Sequence, residues 1–204
     1  MRPNGLVCSV RVSICSEIRN GLILLKKADM AERLFPLFST PYDRPDMRQI
    51  MFAGLGGTLA VVLLGMTAHL SGSALLMAPL GATAVLVFGL ADSPLSRPRH
   101  VIGGHALSMF IGLLCLFFIS SVAPASIVLA TTLAAGLGTG LAIALMLATR
   151  TVHPPAGANP LLLLFSGAGF TDAALLIALP GVFGAVLLYL VAVLIRKAHP
   201  SPKH

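Results

Sequence analysis

The 204-residue chain has no tryptophan, two tyrosines and three cysteines, and only 10% of its residues are charged. An ordinary globular domain carries roughly 25% charged residues. A soluble fold must clothe its surface with such groups, so this scarcity excludes a soluble enzyme of ordinary composition. Cys8, Cys15 and Cys115 are odd in number and lack paired spacing, which excludes a disulfide framework and a zinc site built on cysteine. Cys115 lies inside an apolar run and reads as a small core residue.

Charge is absent over long stretches. Residues 49–91 and 100–149 contain no Asp, Glu, Lys or Arg, and from 151 to 195 Asp172 stands alone. A membrane helix needs about 20 apolar residues to cross about 30 Å of hydrocarbon. Each stretch is long enough for two crossings.

What charge there is has a pattern. Seven of the 14 basic residues precede residue 48. The others are Arg48, Arg97, Arg99, Arg150, Arg196, Lys197 and Lys203, all at the edges of apolar segments. Orienting charges are placed this way. A nucleic-acid groove interleaves basic residues with exposed aromatics, so no nucleic-acid partner is expected.

The expected fold is an all-α polytopic membrane bundle of about six segments, with the lipid bilayer as its partner. The segments run about 49–69, 73–91, 101–121, 125–149, 154–168 and 173–195. Residues 1–47 read as a poorly ordered cytosolic extension, 48–196 as the transmembrane domain and 197–204 as a cytosolic tail. Gly5–Ile14 is weakly apolar but broken by Arg11, which argues against a signal peptide. Six crossings place every basic residue on one side, which the positive-inside rule makes cytoplasmic. Both termini are then cytoplasmic, and the expected location is a bacterial inner membrane.

Two stripes of small residues are expected to bring helices into close contact. One is Gly104, Ser108 and Gly112; the other is Gly136, Gly140, Ala144 and Ala148. Such faces also allow a homo-oligomer.

The two halves resemble each other. Gly54-Leu55-Gly56 precedes Pro79-Leu80-Gly81-Ala82, and Gly136-Leu137-Gly138 precedes Pro155-Ala156-Gly157-Ala158. Three crossings per half predict two inverted repeats, with broken helices at Pro79–Ala82 and Pro154–Ala158. Proline removes a donor and clashes with the preceding turn. The helix that begins there has unpaired N–H groups and the positive end of its dipole. Two such starts meeting inside the bilayer could hold a small anion.

The segment Thr151-Val152-His153-Pro154-Pro155-Ala156-Gly157-Ala158 resembles the signature of the HPP family of membrane proteins. Pro79-Leu80-Gly81-Ala82-Thr83-Ala84-Val85-Leu86 and the block Ser93 to His105 resemble that family's other hallmark regions. Ser96, His100 and the extra proline of Asn159-Pro160 depart from the pattern. The resemblance implies a transporter with about four spanning helices, and its plant-chloroplast and cyanobacterial relatives are associated with nitrite. Four helices disagree with the six segments read from the residues.

The residues expected to bind substrate are Pro79, Gly81, Thr83, His105, His153, Pro154, Pro155, Gly157 and Asn159. Arg97 and Arg99 are expected at the cytoplasmic mouth. His153 and His105 are ionisable groups in spanning segments, and a histidine suits proton coupling. Thr83, Thr151 and Asn159 are neutral donors near the breaks. No catalytic residue, cofactor or metal is expected. There is no HExxH and no carboxylate pair, and no two of His69, His100, His105 and His153 share the i, i+4 spacing. A transporter or channel for a small inorganic anion, nitrite among the candidates, is the leading expectation. A non-transporting scaffold built around the charged N-terminal extension is the alternative.

Overall fold

The computed structural model describes residues 46–72, 78–122 and 128–198, and all regular structure among them is helical. The expected N-terminal extension lies outside the described residues, apart from its last two positions. So do residues 73–77, expected to open the second segment, and 199–204 of the tail.

Helix α1 is Met47–Ser71. Asp46 caps it: its carboxylate accepts from Gln49 N at 2.6 Å, and the Gln49 side chain accepts from Asp46 N at 3.3 Å. This reciprocal box satisfies two of the donors a helix start leaves free. Gly72 closes the helix in the left-handed conformation at φ 63°. Helix α2 is short, Ala78–Gly89, and its last turn, Val85–Gly89, is π-wound. A single 3-10 turn, Pro94–Ser96, leads to α3, Pro98–Val122, whose first residue is the proline favoured at that position. Helix α4 is Val128–Ala148. A 3-10 turn at Pro154–Ala158 runs into the short α5, Asn159–Phe165. Helix α6 is Phe170–Lys197, with a π-wound stretch at Ala173–Ala178.

Among the described residues four helices, α1, α3, α4 and α6, are long and apolar enough to cross a membrane. The second and fifth expected segments are present but short. This reconciles six apolar segments with a four-helix expectation: each half runs long, short, long. The expected break at Pro79 takes a different form. Pro79 lies in the first turn of α2, where its missing N–H costs nothing, and the irregular winding falls later, at Val85–Gly89. The break at Pro154–Ala158 is a tight 3-10 turn continuous with α5.

Helix α3 is central and packs against α4, α5 and α6. The core draws Leu64 from α1, Leu80 and Val87 from α2, Met109 from α3, Leu163 from α5 and Leu188 from α6. Exposed leucines such as Leu55 and Leu59 of α1, or Leu137 and Leu141 of α4, suit a surface solvated by lipid tails.

The two small-residue stripes part company. Gly104 and Gly112 of α3 are closely covered. A Cβ on Gly104 would meet His153 Cβ at 2.7 Å, and one on Gly112 would meet Pro160 Cα at 3.0 Å. The α4 stripe corrects the sequence expectation. Nothing lies within 4 Å of the place a Cβ would take on Gly136 or Gly140, and Ala144 and Ala148 are exposed. The face of α4 that packs inward is instead Ala135, Gly138, Ala142 and Met146. Helical spacing defines both stripes equally well, but Leu137 and Leu141 lie beside the outer one and take it outward.

Several contacts gather one end of the bundle. Arg196, near the end of α6, donates to the carbonyls of Ala91 at 3.3 Å and Val87 at 3.5 Å. Gly56 of α1 is covered by Phe88 and Ile195. Arg99 donates to Thr149 O at 2.7 Å. The segments around 91–99, 149–153 and 196 therefore share one end, as alternating traverses require.

A buried polar node at the junction of the short segments

Helix α4 ends in a turn that aims the chain inward. Arg150 has φ 56°, the single left-handed non-glycine among the described residues. Thr151 N donates to Met146 O at 2.9 Å and Arg150 N to Leu147 O at 3.2 Å. This is the Schellman pairing, with arginine where glycine is usual, at a cost of about 1 kcal/mol. It carries Thr151 over Gly103 and His153 over Gly104, where the absent side chain lets the two backbones meet.

His153 is thereby brought against α2 and α3. Thr83, His105, Ser108, His153 and Asn159 are all 0% exposed and form one connected group. Thr83 Oγ1 lies 2.9 Å from His105 Nε2, 2.9 Å from His153 Nε2 and 2.9 Å from Pro79 O. His153 Nδ1 lies 3.0 Å from Leu95 O. Asn159 Nδ2 lies 3.0 Å from His105 Nδ1 and 2.7 Å from Ser108 Oγ, and that hydroxyl donates to His105 O at 3.2 Å. The two imidazole rings are 5.3 Å apart and tilted. His105 is seven residues beyond Pro98, roughly 10 Å along α3 at 1.5 Å per residue.

One assignment of the protons keeps both rings neutral and pairs every ring nitrogen. Leu95 O can only accept, so His153 Nδ1 carries hydrogen. In a neutral ring Nε2 is then bare; in this assignment it takes the one Thr83 hydrogen, in place of the Pro79 carbonyl that the same hydroxyl faces at 2.9 Å. Thr83 Oγ1 must in turn accept from His105, so His105 holds its hydrogen on Nε2 and leaves Nδ1 bare. That bare nitrogen accepts from the Asn159 amide N–H. One carbonyl thus orients four side chains in a single donor-to-acceptor sequence running from Asn159 to Leu95. Asn159 Oδ1 is left buried with no protein partner. It is an acceptor and suits a water or another donor.

Of the residues expected to bind substrate, Thr83, His105, His153 and Asn159 come together here. Pro79 stands beside them, its carbonyl 2.9 Å from Thr83 Oγ1. Gly81 and Pro154 are exposed, and Pro155 and Gly157 are half-buried, with nothing within 4 Å of Gly81 or Gly157 where a side chain would start. These four form the backbone around the node and make none of its hydrogen bonds. Arg97 is exposed, and Arg99 is tied to Thr149 O. Thr151 pairs with Thr149 at 2.8 Å, outside the node.

Three participants escape the sequence. Ser108 reads there only as a small residue of the stripe. Leu95 acts through its carbonyl, which leaves no trace in sequence. Ser96, fully buried, shares its hydroxyl hydrogen between Leu86 O at 2.9 Å and Leu90 O at 2.8 Å, fastening the end of α2. His100 Nδ1 meets Val152 O at 2.8 Å and braces the approach to His153. Among the described residues no group of three His, Cys, Asp or Glu side chains is placed to hold a metal ion.

Four long apolar helices and two short ones around a buried polar node define an integral membrane protein. The chain belongs to the HPP transmembrane family, whose transmembrane region matches residues 42–204. Two proteins of Dictyostelium discoideum, named simply as transmembrane proteins, are similar to it. One is 31% identical over 127 residues, covering 60% of this chain and 39% of its own length. The other is 28% identical over 159 residues, covering 74% of this chain and 53% of its own length. The chain therefore spans about half or less of these relatives. No solved structure matches it.

Proposed function

We propose that the chain is a transporter or channel for a small inorganic anion, with nitrite the first candidate, and that the anion passes beside the node. The supporting observation is the convergence of both proline-headed short segments on one cluster of buried polar side chains, joined at Thr83 Oγ1. Ionisable side chains placed inside a membrane segment are costly and are by default functional. The node holds no carboxylate, so it sets no like charge against an anion and offers a cation no counter-charge. We read the long–short–long order of each half as two inverted repeats, and the end bearing Arg97, Arg99, Arg150 and Arg196 as cytoplasmic. On this reading the protein is not an enzyme: the node offers no activated nucleophile, and Asp92 and Asp172 are exposed.

Flux into proteoliposomes tests the proposal. Uptake of nitrite, nitrate or chloride above protein-free vesicles is expected, with uptake lowered at least about tenfold by His153→Ala, the loss of one charge-assisted contact of about 1.5–3 kcal/mol. Absence of uptake for all three anions contradicts it.

A further inference from the structure

We propose that the node is a proton-loading site, and that the anion crosses only together with a proton taken up there. This inference rests on the transport reading and adds its coupling ion.

The neutral node carries no positive charge. Its members are Thr83, His105, Ser108, His153 and Asn159, with the carbonyls of Pro79 and Leu95. An anion brought to such depth needs a compensating charge. Within the node the two histidines are the groups able to supply one.

The geometry accommodates one added proton without losing a hydrogen bond. In the neutral state the single Thr83 hydrogen points to His153 Nε2. The Pro79 carbonyl, also 2.9 Å from Thr83 Oγ1, stands ready as a second acceptor. When a proton from water adds to His153 Nε2, the Thr83 hydrogen swings to Pro79 O. Thr83 Oγ1 then accepts from both imidazoles, one on each lone pair. His153 Nδ1–H stays on Leu95 O, and Asn159 stays on His105. Every bond persists and the node gains one positive charge. A second proton, on His105 Nδ1, would face the Asn159 N–H donor at 3.0 Å, so it would need that amide to turn over and give up its bond to Ser108, and would add a second charge 5.3 Å from the first ring. The node therefore alternates between zero and one added proton.

Proton supply comes from the end bearing residues 91–99 and 149–153. The titratable neighbours of His153 are His105 and His100, both from α3. Helices α2 and α5 present Thr83 and Asn159 to the node, and α4 presents no titratable group to it. Arg97, Arg99, Arg150 and Asp92 lie exposed around the same end. His100, half-buried on the Val152 carbonyl, stands between that end and His153. Proton binding and anion binding then favour each other by equal free energies. The loaded complex is neutral, and its movement carries no net charge.

The test uses the full chain in proteoliposomes, with nitrite, nitrate and chloride as probes. Protein-free vesicles at the same gradient define the passive leak of nitrous acid. One-to-one coupling predicts about tenfold accumulation of the carried anion per unit of imposed pH gradient, unaffected by a potassium diffusion potential. Thr83→Ser keeps this accumulation. Thr83→Val abolishes it, with monodisperse elution showing that the variant folds. Flux that follows the potential and ignores the pH gradient overturns proton coupling and leaves transport standing. Coupling in Thr83→Val equal to wild type overturns the role of the hydroxyl. Absence of flux for all three anions overturns transport and this inference together.

Discussion

The glycine stripe of α3 and that of α4 have the same spacing and opposite fates. Gly104 lies under the signature segment, where a Cβ would meet His153 Cβ at 2.7 Å, and Gly112 lies under Pro160 and Leu163 of α5. Gly136 and Gly140 look outward over open space. Small residues at every fourth position make a face that backbone can approach. They do not say which backbone comes. On α3 the partner is supplied by the left-handed turn at Arg150, which drives Thr151 and His153 into the gap. On α4 none of the described segments supplies one.

That contrast can be broken by substitution, measured as thermal unfolding in detergent. The largest effect is expected at Gly104→Ala, where the new Cβ meets His153 Cβ at 2.7 Å and Thr151 O at 3.0 Å. Neither neighbour can yield without displacing the node, so a loss of about 3 kcal/mol is expected, at the upper end for overpacking. Asn159→Leu leaves His105 Nδ1 and Ser108 Oγ without their donor, and about 2 kcal/mol should be lost. Ser96→Ala removes the hydroxyl bond to the carbonyls of Leu86 and Leu90, which keep their backbone donors, with a loss of about 1 kcal/mol. Gly140→Ala is the control on the other stripe. It should be neutral or stabilising by up to about 1 kcal/mol, the gain in helix propensity. Destabilisation there by as much as at Gly104 would erase the contrast, and would mean that a second copy covers the face.

Much of this arrangement can be read in the residues. The uncharged stretches mark the spans, since hydrocarbon tolerates little else. The basic residues at segment edges foreshadow the end at which Arg99, Arg150 and Arg196 gather. Thr83, His105, His153 and Asn159 each stand out as polar groups in apolar surroundings. Their union does not. It depends on a positive φ at Arg150, on a main-chain carbonyl at Leu95 and on the missing side chain of Gly104, none of which declares its role in one sequence. The lengths of α2 and α5 are also obscured. Pro79 and Pro154 mark helix starts, but how far each helix then runs is decided by packing, of α2 on α1 and α6 and of α5 on α3 and α4. Gly81, Pro154 and Gly157, also expected at the site, make none of the node's hydrogen bonds for a related reason. Those residues shape the turns, and a residue that shapes a turn need not face what the turn encloses.

The central claim is that Thr83 joins two histidines of opposite tautomer. Nitrogen-15 spectroscopy of histidine-labelled protein in lipid, at a pH where both rings are neutral, reads this directly. The expected result is hydrogen on Nε2 of His105 and on Nδ1 of His153, each assigned by its single His→Gln variant. The same tautomer on both rings, or free exchange between tautomers on either, would contradict it.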